Sequence, residues 1–192
     1  QFNTAYGREA LRSNQSGSNN VAVGPAMVLN TYGNDNVGVG VSALNLNGTG
    51  NQNTAIGRNA LSANTTGSSN VAIGWSSGIT QTFSNSTFVG AGAGGSGGLN
   101  NATAIGWNAY VSQSDSMVLG NNSVNVGMGV SAPTQKLEVN GGIRMNTVNA
   151  KPSCGSTVRG TFWFTQGVSG IKDNVEVCAK DATNAYSWRT LY

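Results

Sequence analysis

The 192-residue chain carries charge on only 9% of its residues, has no histidine, and holds 28 glycines beside 3 prolines; an average protein is about 25% charged. Its formal net charge of +3 arises in the last third, because Arg8, Arg12 and Arg58 balance Glu9, Asp35 and Asp115 up to residue 135. No Lys/Arg run supports nucleic-acid binding, no apolar stretch nears the roughly 20 residues of a membrane span, and low charge with little proline argues against disorder.

The chain opens with Asn3-Thr-Ala-Tyr-Gly7, and the pattern returns as Asn20-Val-Ala-Val-Gly24, Asn36-Val-Gly-Val-Gly40, Asn53-Thr-Ala-Ile-Gly57 and Asn70-Val-Ala-Ile-Gly74. Thr87-Phe-Val-Gly90, Ala102-Thr-Ala-Ile-Gly106 and Ser116-Met-Val-Leu-Gly120 continue it. The closing glycines are 17, 16, 17, 17, 16, 16 and 14 residues apart. A fixed period of this kind marks a repeat architecture. Before each glycine, larger and smaller side chains alternate, as in a short half-buried strand. A second segment such as Arg8 to Leu11 or Arg58 to Leu61 follows. Polar turns then close the unit (Asn14 to Gly17, Asn47-Gly48, Asn64 to Gly67), with Asn and Gly read there as residues that tolerate left-handed conformations. Each unit is expected to form one coil of an all-β solenoid or roll. The pattern is already under way at Gln1, so the chain is expected to be a piece of something longer.

Ordering about 16 residues costs on the order of 16–32 kcal/mol of backbone entropy. Three or four medium apolar side chains per coil return roughly 1.5–3 kcal/mol each if fully buried. A single thin roll is therefore poorly covered, and association through its Val, Ile and Leu stripe is expected.

Residues 3–130 resemble the head repeats of trimeric autotransporter adhesins, whose units carry an Asn-x-Ala-Ile-Gly-like core. The resemblance implies a parallel β-roll, a homotrimer, and a fibre that binds surfaces. The repeat here is longer than that family's usual period, and no membrane-anchoring barrel sequence is present up to Tyr192. Pro133-Thr-Gln-Lys-Leu-Glu-Val-Asn-Gly-Gly-Ile-Arg144 resembles a connector of phage tail fibres and fibre-like bacterial surface proteins. Many of those carry a self-cleaving chaperone marked by Ser-Asp and a Lys-rich stretch; none follows Met145, and no autoproteolysis is expected. The organisation is thus a head-repeat roll over 1–130, a connector over 131–150 and a C-terminal tip over 151–192.

The tip holds Phe162, Trp163, Phe164, Tyr186, Trp188 and Tyr192, and both cysteines. Three alternating stretches, Val158 to Gln166, Asn174 to Lys180 and Tyr186 to Leu191, predict an antiparallel meander. Two cysteines without histidine are too few for a metal site, and Cys154 and Cys178 lack redox Cys-x-x-Cys spacing. A structural disulfide is the expected use, and it implies an extracellular setting. Plan and tip together resemble the chimeric trimeric adhesive fibres of predatory bacteria, in which the cap recognises prey.

Trp163 and Trp188 suit either sugar stacking or a small core, and alternation sets them opposite Phe162, Phe164 and Leu191. With Tyr186, Lys180, Asp181, Asn184 and Arg189 they make up the candidate ligand site. Trp75 and Trp107 follow repeat glycines where Arg8 and Arg58 stand in other units. There a tryptophan could touch a ligand, touch a neighbouring chain, or simply pack. The glycine-rich segments Gly90–Gly98 and Gly127–Ala132 have no helical periodicity after them, so phosphate cradling is not expected. Acceptor-like triplets at Asn14, Asn47, Asn64, Asn85 and Asn101 are explained by turn formation. The expected function is adhesion to a cell-surface polysaccharide, glycan or envelope component, with no cofactor, metal, nucleic acid, membrane insertion or catalysis. The alternatives are a structural spacer with a trimer-registering cap, or a polysaccharide hydrolase drawing carboxylates from Asp115, Asp173, Glu176 and Asp181.

Overall fold

Each recurrence of the strand motif becomes one rung of a parallel β-solenoid of about seven turns. The computed structural model describes residues 2–80, 82–144, 150–167 and 169–191. Strands run in chain order β1 (Thr4–Tyr6), β2 (Val21–Val23), β3 (Val37–Val39), β4 (Thr54–Ile56), β5 (Val71–Ile73), β6 (Thr87–Val89), β7 (Gly94–Gly95), β8 (Ala102–Ile105), β9 (Tyr110–Val111) and β10 (Ser116–Leu119). One eight-stranded sheet takes the order β1-β2-β3-β4-β5-β6-β8-β10, and β7 pairs with β9. Register steps follow the glycine spacing. Thr4 faces Val21, a step of 17; Val21 faces Val37, a step of 16; Thr103 faces Met117, a step of 14.

Alternation within the rungs puts the central residue inside, a small one in every rung of β2 to β8 except that of Phe88. Ala22, Gly38, Ala55, Ala72, Phe88 and Ala104 are buried, while Val23, Val39, Ile56, Ile73, Val89 and Ile105 face outward. The interior has room for little more, because the opposite wall of each coil sends in Leu11, Met27, Leu44 and Leu61. Volume is traded between walls. A Cβ on Gly38 would lie 3.1 Å from Met27 Cγ. Gly78 stands one rung beyond Leu61, and its missing side chain makes room for Phe88, whose ring would be 2.9 Å from a Cβ there. Phe83 then packs on Phe88, with ring centroids 4.6 Å apart.

Two asparagine ladders run through this interior, one from the asparagines that open the strand motif and one from asparagines read as turn residues. In the first, the Asn36 backbone and side-chain amides both donate to Asn20 Oδ1, Asn53 does the same to Asn36, and Asn70 to Asn53. The second joins Asn14, Asn30, Asn47 and Asn64 in the same way through their side chains. Both ladders converge on one carbonyl per coil. Gly50 O accepts from Asn36 and Asn47 at 2.9 Å each, and Gly67 O accepts from Asn53 and Asn64. Among the described residues no buried side-chain nitrogen or oxygen lacks a partner. Asn47 and Asn64 are fully buried, and each serves both the ladder and its own turn, bonding the carbonyl three residues on. Left-handed residues stand one position before the strand motif of most coils: Asn19, Asp35, Gln52, Ser69, Asn85, Asn101 and Asp115 have φ between +52° and +60°.

Beyond the roll, β11 (Val126–Met128) pairs with β12 (Leu137–Val139) across the Pro133 turn. Glu138 accepts from the Thr134 amide and hydroxyl, and the amide bond chiefly holds its carboxyl below the ordinary range. The chain divides into two compact units at Glu138/Val139. The second unit is the expected antiparallel meander, β13 (Phe162–Thr165), β14 (Asn174–Lys180) and β15 (Tyr186–Thr190), preceded by a short 3-10 turn at Ser156–Val158. Connector residues 145–149 and Tyr192 lie outside the described residues.

Candidate functional site

The tip sheet has two chemically different faces, set by its register. Trp163 stands opposite Glu176, and Glu176 opposite Thr190; Cys178 pairs with Trp188 and Lys180 with Tyr186. These residues share one face. The other carries Phe162, Phe164, Val175, Val177, Ala179 and Arg189.

The segment from Lys151 to Cys154 is fixed to the tryptophan face. The Cys154–Cys178 disulfide, expected from the sequence, closes over a separation of 24 residues. Trp188 Nε1 donates to Pro152 O at 3.0 Å, and Lys151 Nζ sits 5.3 Å from the centre of the Trp188 ring. The same ammonium meets Glu176 Oε2 at 2.6 Å. Trp163 and Trp188 lie with centroids 6.3 Å apart at 58°. A cation over an aromatic face and an ion pair below it favour each other, since the ring's negative face and the carboxylate both attract the ammonium. Both indoles keep part of their surface in solvent.

The β14–β15 turn gathers a second group. Asp181 Oδ1 accepts from the Thr183 hydroxyl and from the Thr183 and Ala185 amides. The Thr183 hydroxyl, with the Ala185 amide next, holds the Asp181 carboxyl below the ordinary range. Asn184 takes φ +67°, and its Oδ1 accepts from Lys180 Nζ at 2.8 Å. Lys180, Asp181 and Asn184 thus brace one turn, with Tyr186 beside Lys180 on the tryptophan face.

Six of the seven sequence candidates therefore fall into two neighbouring groups. Arg189 stands opposite Val177 on the other face and reaches the turn group only through its charge, a minor contributor to the lowered pKa of the Asp181 carboxyl. Lys151 was missed as a site residue, and Glu176 entered only as a source of hydrolytic carboxylate. Alternation with Cys178 places Glu176 on this face, but nothing local announces Lys151, which arrives only through the disulfide. The arrangement offers flat apolar surface edged by charge and amide, suited to a polyhydroxylated ligand. Among the described residues, no cluster of three His, Cys, Asp or Glu could hold a metal ion, and no helix is long and apolar enough to cross a membrane. Compared with protein families, characterised proteins and solved structures, the chain matches none.

Proposed function

We propose that this chain is the binding end of an extracellular homotrimeric adhesive fibre, recognising a glycan or envelope component on a target cell without turning it over. The observation that carries the reading is the Trp163–Trp188 pair held beside the Lys151–Glu176 ion pair on a disulfide-stapled sheet. Aromatic faces cover the apolar side of a sugar ring, while charged and amide edges meet its hydroxyls. The disulfide supports an oxidising compartment. The outward Val and Ile rows of the solenoid support association of copies.

A glycan-array screen with the full chain tests the reading. The expected result is saturable binding to a defined set of glycans, weakened by Trp163→Ala while the tip stays folded and disulfide-bonded. Lys151→Met serves as a second probe that leaves both indoles in place. No saturable binding, or binding indifferent to both variants, overturns the tip assignment.

The spacer reading has its own support in the open second face, where Phe162 is 57% and Leu191 54% exposed. Under that reading, loss of residues 146–192 impairs assembly and leaves attachment intact.

A further inference from the structure

Trp75 and Trp107 stand on one backbone column of the solenoid, each directly after a repeat glycine. Trp75 O accepts from the Gly92 amide at 2.8 Å, and Ala91 O accepts from the Asn108 amide at 2.9 Å. Gly74, Gly90 and Gly106 stack so closely that a Cβ on either of the first two would lie under 3 Å from the next backbone. Residues 75, 91 and 107 are therefore successive rungs. Both tryptophans are largely solvent-exposed, at 60% and 66%, so neither fills the core of its own chain. Arg58 precedes them on the column, its carbonyl bonded to the Ser76 amide, and Asn121 follows, donating to Trp107 O.

We propose that this column is a binding site for β-1,4-linked polysaccharide, separate from the tip. Hydrogen-bonded strands lie about 4.8 Å apart, so two rungs separate the tryptophan Cα atoms by about 9.5 Å. In an extended β-1,4-linked pyranose chain each ring is turned over relative to the one before, and like faces recur every second ring. That repeat is close to two strand spacings. Ring n stacks on Trp75 and ring n+2 on Trp107, while ring n+1 passes over Ala91, where a small side chain is required. Arg58 and Asn121 supply polar ends to the track. Because the rung spacing is fixed by backbone hydrogen bonds, the two platforms are preorganised, and little conformational entropy is lost on binding.

Titration of the full chain with cellohexaose and chitohexaose, followed by calorimetry, tests the site. Binding to at least one is expected, with the curved α-linked maltohexaose as the non-binding control. The trisaccharide, which reaches both tryptophans, is expected to bind at least about tenfold more tightly than the disaccharide. Trp75→Ala and Trp107→Ala should each weaken the hexasaccharide about tenfold, equivalent to about 1.4 kcal/mol. The double variant A91W/W107A keeps two tryptophans but halves their separation, and it should not restore binding. Trp163→Ala at the tip should leave this binding unchanged, which separates the site from the function proposed above. The assignment is overturned by absence of saturable hexasaccharide binding, by indifference to both tryptophans, by full binding in A91W/W107A, or by tryptophan variants whose chief effect is a lower molar mass.

Discussion

Asn53 shows how much one side chain of the interior does. Its Nδ2 donates to Asn36 Oδ1 and Gly67 O, its amide donates to Asn36 Oδ1, and its own Oδ1 accepts from the amide and side chain of Asn70. Replacing Asn53 by alanine strands two buried donors of Asn70 and one lone pair on Asn36, at about 1–3 kcal/mol for each group left unsatisfied. A loss of about 3 kcal/mol or more is expected from urea unfolding of Asn53→Ala. Asn3, at the open end of the ladder, holds one carbonyl and one amide, and Asn3→Ala should cost only about 1 kcal/mol. Equal losses at the two sites would remove the ladder as the source of stability. The ladder could have been read from the sequence, since Asn3, Asn20, Asn36, Asn53 and Asn70 recur at the repeat period. Residue type pulled the other way: asparagine is common in turns, and only a closed coil shows that this amide points inward. The outward course of Val and Ile agrees with the stripe expected to stay uncovered on a single roll, but Leu11, Leu44 and Leu61, read into that stripe, turn inward. Alternation tells which residues share a face, but not which face is the thin interior.

At the scale of elements, the roll and the tip are held by different means. Each rung of the roll is fixed on both sides by its neighbours. The tip is a three-stranded sheet with a single fully buried hydrophobic residue among those described, Cys178 at 1% exposure. A sheet this small needs a covalent staple. Closing a loop of this separation contributes about 3.5 kcal/mol in the chain-entropy model. It also delivers Lys151 and Pro152 to Trp188. Amide hydrogen exchange of a Cys154→Ala/Cys178→Ala double variant should show protection lost across Asn174–Lys180 and retained across Thr54–Ile56 and Val71–Ile73. Loss in both regions would mean that the roll relies on the tip to fold. The meander was legible because its strands alternate and its turns are polar, and the cysteine pair because no other chemistry suited two lone thiols. The grouping around Trp188 was not, because a contact spanning 36 residues leaves no periodic trace.

At the scale of the molecule, the decisive surface is the outer face of the eight-stranded sheet. Two rows run along it, one through Val21, Val37, Thr54, Val71, Thr87 and Thr103, the other through Val23, Val39, Ile56, Ile73, Val89 and Ile105. Parallel sheets are ordinarily covered on both faces, yet Ile56 and Ile73 each remain 40% exposed. Covering one such aliphatic side chain contributes about 1 kcal/mol at roughly 25 cal/mol per Å². Over six rungs the sum is comparable to the roughly 4–15 kcal/mol that association costs. Assembly is therefore expected to depend on the whole face and to fail when one central rung is made polar. Ile73→Glu tests this cleanly, because the side chain points out of its own coil and the fold of the single chain should be unaffected. Light scattering of the parent chain should give three chain masses. The variant should give one, with unchanged circular dichroism. A parent chain that is already monomeric would mean that the Asn ladders and thin alanine core suffice alone, and the outward rows would then need another occupant.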